Sequence, residues 1–288
     1  MKTDDKGYNL TLPLNDFNLS YDDVGEGSLP IIFLHGFPFD KSMWKGQLDF
    51  LKDFHRSIAY DIRGFGKSTD EESDLSMELF TDDLIQFMEE LQIEKAIICG
   101  LSMGGYIALN AMNKFPKRFA ALILCDTQCI ADTAEGKEKR YKTIDEIEIE
   151  GVTNFNDKFI KKVFHKDSFR NKKELVEQLN NVVFANSEHI IKQGLVAIAE
   201  RSETCSTLNE IKVPTLILCG REDKVTPLNE SEFMDEAIKE SVLHVIDKAG
   251  HVSNLEQPDE FNKHLLRFLT VVNNNNGEWI DKKKKMLQ

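Results

Sequence analysis

Long apolar runs are missing from this chain. No stretch of its 288 residues approaches the length of a membrane span, so a membrane-embedded protein is not expected. Positive charge is also in short supply. Lys and Arg number 36 against 49 Asp and Glu, a formal net charge of -13. Such a surface repels phosphate backbones and anionic lipid, so neither nucleic acid nor a membrane surface is an expected partner. Paired cysteine spacing is absent too, since the five cysteines include no C-x-x-C. Cys99, Cys125 and Cys219 end apolar runs (AIIC, LILC, LILC), where small buried hydrophobes belong. An odd, unspaced set reads as a reduced, cytoplasmic protein. The opening MKTDDKGYNL has no apolar core, so no export signal is expected. Metal-ligand spacings such as H-x-x-x-H are missing, and no G-x-G-x-x-G follows an apolar run. Neither a metal nor a dinucleotide cofactor is therefore expected, and the cofactor expectation is none.

What is present is a regular alternation. Short strand-type runs fall at 9–14, 17–22, 30–34, 57–60, 95–99, 121–125, 215–219 and 242–246, and helix-type stretches at 41–52, 76–91, 103–114, 229–239 and 258–271. The runs at 31–34, 96–99, 121–125 and 215–219 are apolar throughout, which marks strands buried on both faces of a parallel sheet. The pattern predicts an α/β fold with a mostly parallel, doubly wound, eight-stranded sheet, the two opening runs forming an antiparallel hairpin at its edge. One interval, 127–213, is charged and helix-prone with no convincing strand, and reads as a helical cap inserted between two sheet strands. The expected organisation is a core of 1–126 and 214–272, a cap of 127–213 and a flexible tail of 273–288 whose lysines (Lys282–Lys285) are solvated.

The chemistry centres on Gly100-Leu101-Ser102-Met103-Gly104-Gly105. A serine in a turn between strand and helix could simply cap the helix. The spacing G-x-S-x-G points further, to a nucleophile held in a strained turn with small neighbours on either side. A serine hydroxyl needs a base to take its proton. His251, after the last strand-type run, is the candidate, ahead of His55, His165, His189, His244 and His264. The imidazole needs a carboxylate. Asp223 follows the run at 215–219 and Asp126 follows that at 121–125, so both belong at the carboxyl edge of the sheet. The late position of Asp223 favours it, with Asp126 bracing the entry to the insertion. Oxyanion donors are expected from the amides of Met103 and, in His35-Gly36-Phe37-Pro38, of Phe37, because Pro38 has no N–H and His35 reads as a structural loop residue. Phe39 and Trp44, with Phe37 and Met103, are candidates for an apolar acyl pocket, though each could equally be core. The stretch Gly66-Lys67-Ser68 is a decoy, since a phosphate loop needs glycine where Asp61 stands. An Asp61–Arg63 pair bracing a tight turn is expected instead.

Taken in order, HGFP at 35–38, DIRGFGKS at 61–68, GLSMGG at 100–105, GREDKVTP at 220–227 and AGHVSNLEQP at 249–258 resemble the α/β-hydrolase superfamily over about residues 8–271. Within it the chain looks most like the cluster holding 3-oxoadipate enol-lactonases, small esterases and cofactor-free peroxidases. The resemblance implies Ser102 as nucleophile, Asp223 as acid, His251 as base and a helical cap. The resulting expectation is a serine hydrolase (carboxylesterase- or lactonase-like) acting on a small-molecule ester or lactone. The alternatives are carbon–carbon bond hydrolysis or perhydrolysis with the same triad, and a ligand-binding protein on the same fold without turnover. An oligomer is compatible with the sequence.

Overall fold

The computed structural model describes residues 6–14, 16–68, 70 and 72–273; most of the expected flexible tail lies outside them. Strands β1 (Gly7–Leu14) and β2 (Phe17–Val24) form the antiparallel edge hairpin. They are followed by β3 (Ile31–Leu34), β4 (Ser57–Tyr60), β5 (Ala96–Leu101), β6 (Phe119–Cys125), β7 (Thr215–Gly220) and β8 (Ser241–Ile246). The eight strands join in the order β1-β2-β4-β3-β5-β6-β7-β8, all parallel from β4 to β8. Alternate residues of the apolar strands serve opposite faces, so both faces need hydrophobes. Ile32, Leu34, Ile98 and Leu122 share a core with α2 (Met77–Glu90) and α3 (Met103–Lys114). Ile31, Phe33, Ile97 and Ile123 share the other core with α1 (Lys45–Leu51) and the C-terminal helix Pro258–Asn273.

Five α-helices and a 3-10 turn (Cys205–Glu210) stand between β6 and β7: α4 (Ala134–Glu150), α5 (Thr153–Val163), α6 (Ser168–Asn171), α7 (Lys173–Phe184) and α8 (Glu188–Ala199). Local signals set several starts, since the hydroxyls of Thr133 and Ser187 accept the N–H groups of Gly136 and Ile190. After β7 comes α9 (Leu228–Ala237), and after β8 come α10 (Ser253–Glu256) and α11 (Pro258–Asn273). Among the described residues, no helix is long and apolar enough to cross a membrane.

The cysteine expectation is corrected in part. Cys99, Cys125 and Cys219 are free and buried at the strand ends, but Cys129 and Cys205 form a disulfide. They lie 76 residues apart, so local spacing carried no sign of them, yet both ends of the helical insertion return to one place on the sheet and bring the Cα atoms to 4.9 Å. A crosslink closing so long a loop restricts the unfolded chain and contributes about 2–4 kcal/mol. Reduction with dithiothreitol is expected to lower the urea midpoint correspondingly, while a Cys129→Ser variant unfolds at the same lowered midpoint with or without reductant. Coincident midpoints for the oxidised and reduced wild type would contradict this.

The expected Asp61–Arg63 pair is not made. Asp61 is wrapped by its own turn, accepting the backbone N–H of Lys67 at 2.9 Å and of Lys41 at 2.8 Å and pairing with the Lys41 ammonium at 3.1 Å. Arg63 points to the other side and pairs with Asp83, Asp16 and Asp70. Two buried opposite charges two residues apart are separated because each finds a fuller set of partners from distant segments.

Candidate active site

The turn between β5 and α3 holds Ser102 at φ 54, ψ -116, a left-handed conformation that a side-chain-bearing residue adopts only under constraint. The constraint is close packing. A Cβ on Gly100 would stand 2.2 Å from the Gly104 carbonyl oxygen, and one on Gly104 would stand 2.3 Å from that of Leu34. The Ser102 N–H donates to the Cys125 carbonyl at 3.0 Å, and the Thr127 hydroxyl donates to the Ser102 carbonyl at 2.8 Å. The hydroxyl of Ser102 is thereby pushed out of the sheet edge and no side-chain bond draws it back to cap the helix.

His251 and Asp223 meet it there. Ser102 Oγ lies 2.8 Å from His251 Nε2, and His251 Nδ1 lies 2.8 Å from Asp223 Oδ2. Asp223 accepts three further bonds, from the Val225 N–H at 2.7 Å, the Thr226 N–H at 3.1 Å and the Thr226 hydroxyl at 2.8 Å. Those donors hold the carboxylate ionised and aimed at Nδ1–H, which leaves Nε2 as the acceptor for the serine proton. Burial by itself lifts the Asp223 carboxyl, but the His251 charge, its hydrogen bond and the amide donors outweigh it and hold the acid below its usual range. For His251 burial works downward, and the charge and hydrogen bond of Asp223, helped by Asp126, carry the imidazole above its usual value. Lys162, near the end of α5, acts on His251 in the opposite direction.

Asp126 sits at the same sheet edge but does not touch the imidazole. Its Oδ1 accepts the Gly220 N–H at 2.7 Å, and its Oδ2 accepts the N–H of Ser253 at 3.2 Å and the hydroxyl of Ser253 at 2.5 Å. It therefore ties the end of β7 to the loop that carries His251, rather than to the entry of the insertion. Burial first, and then the Asp223 charge, lift its carboxyl to about 7. Asp126, Cys219 and Asp223 bring potential ligand atoms within 4.8 Å of one another. Both carboxylates are already occupied by N–H and O–H donors, so in this structure the three groups form a hydrogen-bonded brace.

The loop after β3 lies against the serine: a Cβ on Gly36 would be 3.2 Å from Ser102 Cβ. Among the described residues, the amide N–H groups of Phe37 and Met103 donate to no protein acceptor, so both are available at this edge. The Phe37 ring is clamped by Phe65, Phe155 and Phe159 at centroid distances of 5.9, 6.2 and 6.3 Å. Phe39 packs on Phe159 at 5.7 Å, at the junction of loop and insertion. Of the two places left open for Trp44 the structure takes the core and not the pocket: it is fully buried between Phe33 of β3 and Phe261 of α11, on the α11 face of the sheet. Aromatic composition alone could not separate core from pocket. His35 is fully buried, with Nε2 accepting the Ile62 N–H and Nδ1–H bonded to the Gly36 carbonyl, so both ring nitrogens serve the loop.

Sequence reasoning overlooked two supports. Thr226 holds Asp223 and lies within the GREDKVTP stretch, where a threonine three residues after the acid was a usable signal. Thr127, one residue past Asp126, holds the Ser102 carbonyl, and nothing local marks that long-range bond.

Residues 30–258 match the family described as alpha/beta hydrolase fold. The chain is 30% identical to 3-oxoadipate enol-lactonase 2 of Acinetobacter baylyi over 253 residues, 88% of this chain and 93% of that protein. It is also 30% identical to a 2-hydroxy-6-oxo-6-phenylhexa-2,4-dienoate hydrolase of Comamonas testosteroni, over 89% of this chain and 92% of the relative. A thermophilic esterase from Thermogutta terrifontis, solved with malate bound, superimposes with a TM-score of 0.85 at 34% identity, covering 89% of this chain and 94% of the other. With its eight-stranded sheet and its match over most of its length, the chain belongs to the alpha/beta hydrolase fold family.

Proposed function

We propose that the protein is a serine hydrolase that cleaves a small carboxylic ester or lactone through an acyl-enzyme on Ser102. The observation that carries this reading is the unbroken relay from Ser102 Oγ through His251 to Asp223, with 2.8 Å at each step. His251 Nε2 takes the hydroxyl proton as Oγ attacks the carbonyl carbon. The developing oxyanion is received by the N–H groups of Phe37 and Met103. Collapse expels the alkoxide, which takes the proton from His251. Water, deprotonated by the same imidazole, then attacks the acyl carbon and releases the acid and free serine. In a lactone the leaving alkoxide stays attached to the acyl chain, and the chemistry is otherwise the same. The insertion 127–213 acts as the cap over this edge, with Phe155 and Phe159 of α5 packed on Phe37.

Similarity to the Comamonas testosteroni hydrolase, named for a dienoate substrate, favours a second reading, carbon–carbon bond cleavage by the same three residues. A panel of short-chain 4-nitrophenyl esters, simple lactones and a vinylogous 1,5-diketone dienoate separates the two. Labelling with a fluorophosphonate probe, mapped by mass spectrometry, is expected at Ser102. An unlabelled Ser102 in folded protein would reduce the chain to a binding module. A cytoplasmic location is part of the proposal on the free thiols of Cys99, Cys125 and Cys219, and the Cys129–Cys205 bond is the observation against it. A reducing compartment would keep Cys129 and Cys205 as thiols, so trapping the cellular thiols by alkylation reads the location directly.

A further inference from the structure

The loop that carries His251 is held from two sides. On the sheet side, Asp126 accepts the N–H and the hydroxyl of Ser253. On the other side the loop is pressed against the insertion. The His251 N–H donates to the Val163 carbonyl at 2.7 Å. A Cβ on Gly250 would stand 2.6 Å from that carbonyl oxygen and 2.9 Å from the His165 nitrogen. Glu256, at the end of α10 and fully buried, joins the two surfaces. Its Oε2 accepts the N–H of Gly250, the residue before His251, at 2.6 Å. Its Oε1 accepts the His165 N–H at 2.9 Å and the Ser168 hydroxyl at 2.5 Å, both from the stretch where α5 passes into α6.

A buried carboxylate is a costly way to fill space. Among the described residues Glu256 makes no ion pair, and the Lys172 ammonium turns to its main-chain carbonyl instead. Burial lifts the carboxyl above its usual range, against the downward pull of the Ser168, Gly250 and His165 donors. Each of those three neighbours donates, so the ionised form satisfies them all. An apolar side chain would avoid the desolvation but would leave the three donors without this acceptor. The carboxylate thus makes one unit of the insertion and the loop, a single residue away from the imidazole.

We infer that Glu256 is a positioning residue for His251: by clasping Gly250 to His165 and Ser168, it makes the aim of the imidazole at Ser102 depend on the seating of the insertion. This rests on the reading of Ser102, His251 and Asp223 as a hydrolytic triad. The relay has little slack, with 2.8 Å on each side of the ring. A loop shift of about 1 Å breaks both contacts, and a misplacement of that size costs up to about 10²-fold in rate. The insertion therefore aligns the base as well as covering the site.

The test uses 4-nitrophenyl acetate, with a urea midpoint for each protein. Glu256→Gln keeps the shape of the side chain but sets an amide N–H against one of the converging donors. Its kcat is expected to fall about tenfold to 10²-fold with KM little changed. Ser168→Ala keeps the carboxylate and its charge and removes one link, so its kcat falls about threefold. The double variant is no slower than Glu256→Gln, because both changes cut the same connection. The pH profile separates positioning from stability. Asp223 is what raises the His251 pKa, and a loosened ring meets it less well. The acid limb of fluorophosphonate labelling at Ser102 therefore moves to lower pH in Ser168→Ala, a variant that removes no charge. A lowered urea midpoint with wild-type kcat and an unmoved limb overturns the inference and leaves Glu256 a structural brace. If Glu256→Gln does not fold, Ser168→Ala decides on the same two readouts. A wild-type protein whose Ser102 the probe never labels overturns the triad reading, and this inference with it.

Discussion

Ser102→Ala is expected to lower kcat for every ester and lactone turned over by the protein by about 10⁴-fold or more, some 5.4 kcal/mol of transition-state stabilisation. The size follows from the nature of the loss. Removing Oγ removes the nucleophile that lies 2.8 Å from His251 Nε2, while the fold is untouched, since that hydroxyl makes no helix cap. Binding and the amides of Phe37 and Met103 remain, so a residue of activity above the uncatalysed rate is expected. The wild-type pH profile carries the same claim. His251 must be neutral to act as base, and Asp223 holds its pKa above the usual histidine value despite burial. Activity is therefore present at alkaline pH and declines as pH falls through that raised pKa, with an acid limb above pH ~6.5. An alanine variant retaining a tenth of wild-type kcat, or an acid limb well below pH 6, would count against the base assigned here.

The two buried aspartates give the second large effect. Asp223→Asn is expected to cost about 10³–10⁴-fold in kcat with little change in KM, because an amide cannot stabilise the imidazolium and favours the wrong tautomer of His251. Asp126→Asn is expected to cost less than about tenfold, because its oxygens face Gly220 and Ser253 and make no bond to the ring. It has a signature of its own. The Asp126 carboxylate helps to raise the His251 pKa, so its neutralisation moves the acid limb to lower pH. Steady-state kinetics of both variants across pH settle the matter, and the reverse ranking would make Asp126 the acid of the triad.

Much of this site was legible in the chain because its chemistry is concentrated in turns whose sequence is locally constrained. Gly100 and Gly104 flank Ser102 because any larger residue would strike a backbone carbonyl, and a need of that kind writes itself as G-x-S-x-G. The strands β3, β5, β6 and β7 were legible for a similar reason, since burial on both faces leaves them apolar apart from Thr215 at the start of β7. The choice between pocket and core for Trp44 stayed open, and the Asp61–Arg63 pair and a fully reduced set of cysteines were expected where the structure has other partners and a Cys129–Cys205 bond. In each case the deciding partner was distant: Phe261 for Trp44, Lys41 and Asp83 for the two charges, and a cysteine 76 residues away for the disulfide.

By itself the sequence determined the alternation of strand and helix, the strained serine turn and the order of serine, acid and histidine, because local sterics and burial dictate those residue by residue. Only the tertiary structure decided which aspartate meets His251, that Thr127 and Thr226 hold the relay in line, and that the end of α5 accepts the His251 N–H. Hydrogen-bond geometry depends on distances between segments far apart in the chain, and such distances exist only once the sheet has brought its carboxyl edge together.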